Sequence, residues 1–327
     1  GVALGADPAM LAGAVLSGAI FGDNLAPVSD VTVISSVTQR FRNGTPADIA
    51  GVVRTRLPYA MIALAVSLPV YAFMGESLPV SEAALSGDAS ALLMLVPVAV
   101  LIVVAVRTRD VLMAISAGVV TGTATGLLIG RLSFATIFAA DDGRLSGFLI
   151  SGISNVSPII LLCVTLFAFT GIVREAGVPD MMAKALEAGS AGRPSALRTE
   201  LFLSAATLVV TTLFAAVTSA SVALVGSLTD DIGRASNVHP YRRSHILSGL
   251  ANSLPVLMPF SAFVLITMAA VSGLEGAAAV TPFTLMTAAF YPIALFLVFG
   301  FMVLTGTGRM METPEPEAAE AKTATAL

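Results

Sequence analysis

The residues of this chain best equipped for chemistry are Asp23 and Asp30. They lie in Ser17-Gly18-Ala19-Ile20-Phe21-Gly22-Asp23-Asn24-Leu25-Ala26-Pro27-Val28-Ser29-Asp30, which continues as Val31-Thr32-Val33-Ile34-Ser35-Ser36. Two carboxylates, an amide and several hydroxyls thus fall in a segment otherwise apolar enough to lie in a bilayer. A charge at membrane depth costs at least about 2.5–3.5 kcal/mol on insertion scales, so such residues mark ion or substrate pathways. A desolvated carboxylate near neutral pH can hold either a proton or a cation. If both compete for one site that opens alternately to each face, coupled exchange follows without further chemistry. Sodium prefers hard oxygen ligands, which Asn24, Ser29, Thr32 and unwound carbonyls can supply. Asp23 and Asp30 are therefore the candidate proton carriers and sodium ligands. Each also has a plainer role open to it: Asp30 as N-cap of a half-helix over 31–38, Asp23 as a carboxylate facing water at the membrane surface.

These side chains need an element that holds polar atoms at membrane depth. Gly22 and Pro27 both interrupt helices. Proline removes a backbone donor and drives the residue before it out of the α region. The expected object over 8–38 is a broken membrane helix, the device by which secondary transporters build cation sites. A second interrupted span is expected at 246–272, where Asn252, Ser253 and Ser261 accompany Pro255 and Pro259. Its centre, Leu257-Met258-Pro259-Phe260-Ser261, shares three of five positions with Leu25-Ala26-Pro27-Val28-Ser29. Asn252, Ser253 and Ser261 would form the neutral half of the site, or simply bond neighbouring helices.

Composition places the whole chain in the membrane class. It is 56% hydrophobic and 12% charged, with mean hydropathy +0.90, against roughly 45–50% apolar and 25% charged for soluble domains. Hydropathy suggests further spans at 57–75, 91–106, 111–130, 149–173 and 282–304, with no arginine or lysine inside any of them. Polar connections are expected at 39–56, 76–90, 131–148, 174–199 and 227–245, with Asp230 and Asp231 solvated in the last. A disordered acidic tail is expected over 305–327. There is no basic stripe and no Trp, which argues against nucleic-acid binding. With two histidines and no hydrolase or metalloprotease motif, the chain does not read as an enzyme. Cys163 is its single cysteine, so no disulfide forms within it. Opening at Gly1 and entering a span almost at once, the sequence reads as the C-terminal part of a longer polypeptide.

Arginine placement suggests the topology. Arg40 to Arg56, Arg107, Arg109 and the 174–199 connection fit the cytoplasmic side, and the acidic 76–90 loop the outside. Arg234, Arg242 and Arg243 also fit inside, which requires 201–226 to enter and return on one face. A re-entrant hairpin is expected there, with Thr218, Ser219 and Ser221 lining its tip or allowing close packing. The two broken spans then run in opposite directions, the pattern of inverted repeats with a binding site between them.

The run Gly18 to Asp30 resembles the signature of NhaC-type sodium/proton antiporters of the ion-transporter superfamily. One position departs: where that family often carries another hydroxyl after the Ser-Asp pair, this chain has Val31, followed by Thr32. The resemblance implies an all-α polytopic transporter of two inverted repeats in the cytoplasmic membrane, often homodimeric. It implies that residues 1–75 end a first repeat, that 76–110 connect, and that 111–304 form a second repeat. The implied activity is sodium/proton antiport, with membrane lipid, sodium and protons as the partners and no cofactor. Sodium- or proton-coupled exchange of a small carboxylate or amino acid is the alternative, as in some relatives.

Overall fold

The computed structural model describes residues 7–27, 29–74, 92–93, 95–108, 110–137, most of 139–150, single positions between 152 and 181, and 195–271 and 277–312. The regions expected as the 76–90 loop, the 149–173 span, the 174–199 connection and most of the acidic tail lie largely outside them. The described residues are helical apart from one antiparallel ribbon, β1 (Ala139–Asp141) paired with β2 (Arg144–Ser146). That ribbon and a short helix, Phe134–Ile137, occupy the connection expected as a plain loop.

The chain divides into two compact units. The one within residues 76–163 holds a helical hairpin, Leu95–Thr108 against Val111–Leu128. Gly118 packs so closely there that a Cβ would fall 3.0 Å from the Leu101 side chain.

The other unit, within 7–75 and 164–327, carries the site. Its helices are α1 (Pro8–Leu25), α2 (Asp30–Val37), α3 (Ile49–Met74), α4 (Ala196–Leu213), α5 (Thr218–Ala235), α6 (Pro240–Ala251), α7 (Ala262–Val271), α8 (Pro282–Ala288) and α9 (Phe290–Thr305). A 3-10 turn, Leu254–Leu257, lies between α6 and α7. Among the described residues, Pro8–Val37, Ile49–Met74 and Ala196–Leu213 are long and apolar enough to cross a membrane, and counting each of the bent pairs α6–α7 and α8–α9 as one span brings the total up to five. Exposure fits that setting. Along α3, Leu57, Met61, Ile62, Val66 and Phe73 face outward, while Ala60, Ala63 and Ser67 are buried. Large apolar groups outside with small and polar ones inside is how membrane helices pack.

Local chemistry explains the boundaries. The Asp7 side chain accepts from the Met10 N–H at 2.7 Å, and Pro8 occupies the first helical position of α1. Pro27 has no N–H to offer the Asp23 carbonyl, and α1 stops at Leu25. After this break the chain resumes as α2. The α6–α7 pair bends by 53° around Pro255 and Pro259. Between α4 and α5 a four-residue turn holds Ala215 and Ala216 at φ of 51° and 60°. These are left-handed values that cost a residue with a Cβ about 1–2 kcal/mol. The Ala262 N–H, at the start of α7, donates to the Ala215 carbonyl at 2.9 Å and ties this turn to the second break.

Several expectations are corrected. α3 begins at Ile49 rather than 57, and Arg56 is fully buried in it, not in a polar loop. The 227–245 loop is mostly helix: α5 runs to Ala235 and α6 starts at Pro240. There Asp230, Arg242 and Arg243 are buried, and only Asp231 of the aspartate pair is solvated. The 282–304 span is two helices bent by 56°. Pro292 cannot donate to the Ala288 carbonyl four residues before it, and that carbonyl accepts instead from the Tyr71 hydroxyl at 2.7 Å. Residues 306–312, expected in a disordered tail, fold back: Met311 bridges Val238, and Arg309 bonds Glu200.

Candidate functional site

The polar core forms where the first break meets α6. Asp23, in the last turn of α1, is half-buried. Its Oδ1 accepts from the Ser29 hydroxyl at 2.7 Å, across the break in its own span. Its Oδ2 accepts from the Asn252 Nδ2 at 2.9 Å, so the second broken span reaches the same carboxylate. Asn252 ends α6 and is fully buried, and its Oδ1 has no hydrogen-bond partner. Asn24 is also fully buried. It donates to the Tyr291 hydroxyl at 3.0 Å, and its own Oδ1 has no partner. A carboxylate accompanied by amide oxygens without donors is an acceptor-rich setting. Buried acceptors seldom stay unsatisfied, and hard oxygens of this kind suit a small hard cation.

Just beyond Asp23, Arg56 reaches between α2 and α6. Its guanidinium donates to Thr32 Oγ1 at 2.7 Å and to Ser248 Oγ, while Nε has no partner. Asp23, Tyr291 and the buried His245 all lie near enough to interact with it electrostatically. Toward the start of α6 two further arginines are held quite differently. Arg242 grips Glu200 of α4 through two bonds of 2.9 and 3.1 Å. Arg243 donates to Asp230 of α5 at 2.7 Å and to Gln39 Oε1 at 2.8 Å. Arg309, outside the spans, bonds Glu200 as well, and that bond raises its pKa.

The other sequence candidates separate from this centre. Asp30 is exposed, and its Oδ1 accepts from the Val31 N–H in the first turn of α2. Ser29, not Asp30, takes the N-cap position. Thr32 serves Arg56. Ser253 donates to the Leu250 carbonyl and Ser261 to the Val256 carbonyl, so both satisfy backbone around the second break. Ser221 pairs with Thr211 at 2.9 Å within the α4–α5 hairpin, Thr218 is buried at the start of α5, and Ser219 is half-buried beside it.

Comparison with protein-family models, curated proteins and solved structures finds no match to this chain. The site is therefore read from its own geometry.

That geometry includes residues which sequence reasoning passed over. Arg56 was hidden among Arg40, Arg42 and Arg54, and counting charges gives no direction to any one of them. Glu200 falls between the expected 174–199 connection and the apolar residues after it, and the Arg at i+42 that pairs with it is invisible to local pattern. Tyr71 and Tyr291 had one usable signal: tyrosine buried in a span needs a partner for its hydroxyl.

Proposed function

We propose that this protein is a secondary active antiporter that exchanges sodium for protons across the cytoplasmic membrane, with Asp23 as the alternating carrier of both. The observation that carries this reading is the Asp23–Asn252 bond between two broken spans, with the Asn252 amide oxygen buried beside it and unpartnered. Sodium can take the carboxylate and amide oxygens, whereas a proton needs only the carboxylate, so the two ligands exclude one another. Asp30 drops from the inner ligand set because its carboxylate is exposed. In this reading the α1–α2 and α6–α7 spans are the opposed elements of two inverted repeats, and the α4–α5 hairpin is re-entrant. Alternating access then comes from one group of helices rocking against the other.

One observation favours a second reading. No cation was expected within a span, yet Arg56 is buried there with hydroxyls as its hydrogen-bond partners. A guanidinium so placed suits a carboxylate, and sodium- or proton-coupled exchange of a small carboxylate or amino acid uses it directly.

Proteoliposomes with an imposed proton gradient separate the two. Collapse of the gradient on adding sodium alone supports sodium/proton exchange. A response that needs an added carboxylate or amino acid moves the protein to the second reading. No response to either rejects both.

A further inference from the structure

The polar residues of α2 and α6 continue past Asp23 as two facing stripes. Ser29 and Asn252 share the Asp23 carboxylate. Thr32 and Ser248 share the Arg56 guanidinium. Ser244 donates to Ser35 at 3.1 Å, and Gln39 accepts from Arg243 at 2.8 Å. From Ser29 to Ser35 each step of three residues is matched by a step of four in the opposite direction along α6, and Gln39, two residues past α2, meets Arg243 next to Ser244. Thr32, Ser35, Gln39, Ser244, Ser248 and Asn252 are all fully buried. At 1.5 Å per helical residue the stripe runs about 15 Å.

Hydroxyl pairs alone would be ordinary glue between membrane helices. Arg56 is what glue does not require. A fully buried guanidinium costs far more than a hydroxyl unless a carboxylate neutralises it. No ion pair to Arg56 occurs among the described residues, and its Nε has no partner. Its charge sits at the point where a cation leaving Asp23 along the stripe would have to pass. There it repels that cation, and its two hydrogen bonds pin the half-helices together. At its far end the stripe stops at Gln39, where the fully buried Arg243 guanidinium bonds Gln39, Asp230 and the Arg40 carbonyl.

We infer that the stripe between α2 and α6, as far as Ser35 and Ser244, is the path along which the transported cation moves away from Asp23, and that Arg56 is the side chain that closes its first step. Opening then consists of the guanidinium giving up Thr32 and Ser248, which frees two hydroxyls as successive stepping ligands. The inference rests on the proposed cation transport.

The test uses a Cys163→Ser background carrying Ser35→Cys, reconstituted in liposomes and probed with a small cationic methanethiosulfonate reagent added on the face to which the Asp23 end of the stripe opens, so that it must pass Arg56 to reach residue 35. With Arg56 intact, Ser35→Cys should react slowly. Adding Arg56→Ala should speed labelling by about tenfold or more, as expected when a polar constriction opens. Arg56→Lys, which keeps a cation at that position, should leave labelling of Ser35→Cys slow. Unchanged labelling in a normally eluting Arg56→Ala protein overturns the inference and leaves the stripe as helix glue. If Arg56→Ala does not fold, labelling of Ser35→Cys is compared under inward and outward sodium gradients. A difference supports the route, and no difference overturns it. A wild-type protein that moves neither sodium nor protons, combined with faster labelling in Arg56→Ala, would reject the antiport reading and the cation route with it, leaving Arg56 as a plug in a polar stripe. Working exchange with a stripe that never opens would keep the antiport reading and reject the route.

Discussion

The two ends of α6 bury charge in opposite ways. At its start Arg242 and Arg243 diverge to Glu200 on α4 and Asp230 on α5, and each guanidinium meets a carboxylate directly. Adjacent residues thus clamp the two arms of one hairpin. At its far end Ser248 and Asn252 stand between a cation and an anion that do not touch: Arg56 bonds hydroxyls, and Asp23 bonds a hydroxyl and an amide. Buried pairs with full partners resist change, because separating them leaves an uncompensated charge. Charges held apart by neutral groups can each accept another partner at small cost. The first arrangement suits a fixed joint, the second a site that must load and empty.

The sharpest way to break this contrast is at the fixed joint. Glu200→Ala leaves Arg242 buried without its carboxylate and should cost about 3–5 kcal/mol, read as a large fall in the unfolding midpoint in detergent. Replacing both partners with apolar residues, Glu200→Leu with Arg242→Met, should recover most of that loss. A mild Glu200→Ala phenotype would show that the ion pair does not hold the joint.

At the proposed Asp23 site the same kind of change should behave in the opposite sense. Asp23→Asn removes a half-buried charge and keeps the shape, so the protein should reach the membrane with an unchanged midpoint. Sodium-driven proton movement should fall to the level of empty liposomes. Asp30→Asn, at an exposed carboxylate, should retain most activity. If Asp30→Asn abolishes exchange and Asp23→Asn does not, the assignment of the two carboxylates is reversed.

How much of this could be read from sequence follows the same division. Asp23, Ser29 and Asn252 were legible because polar residues beside proline in an apolar span have few structural uses. Asp30 was equally prominent, and sequence cannot say that its side chain turns outward in the first turn of α2. The joint was not legible, since Glu200, Asp230, Arg242 and Arg243 resemble ordinary loop charges until α4, α5 and α6 bring them together. The break at Ala289 had one local sign, Pro292. Its effect appears four residues upstream, and the compensating hydroxyl comes from Tyr71, distant in sequence. The strap at 306–312 was masked by the acidic, proline-rich residues that follow it.

Tyr71 offers a neutral case between the two extremes. Its hydroxyl donates to Ala288, accepts from the Phe290 N–H at 3.1 Å and bonds Ser17 at 2.8 Å. Tyr71→Phe keeps the ring and strands the Ala288 carbonyl, so the expected loss is about 1–3 kcal/mol, smaller than at Glu200. Gly13 packs so tightly on this break that a Cβ would lie 2.4 Å from the Ala288 oxygen. The carbonyl is therefore poorly placed to find a substitute donor. A midpoint equal to wild type in Tyr71→Phe would mean that the break is held by packing alone.

The smallest effect is expected at His239, beside the fixed joint and outside the spans. Its Nδ1 accepts from the Tyr241 N–H at 3.2 Å and so caps α6. Burial lowers its pKa below the ordinary 6.5. Glu312 opposes that shift, and Arg243 adds to it. Protonation would cancel the acceptor and place a cation near Arg243. Because the folded-state pKa is depressed, the unfolded chain takes up the proton first on acidification. The stabilising contribution is therefore complete above 6.5 and declines as pH falls below it. The whole change should stay near the worth of one helix cap, about 0.5–1 kcal/mol. His239→Asn keeps a capping oxygen and removes the titration, so its unfolding midpoint should lose this part of the pH dependence between about pH 7.5 and 5.5. If wild type and His239→Asn instead decline in parallel on acidification, the His239 cap is not the source of that pH dependence.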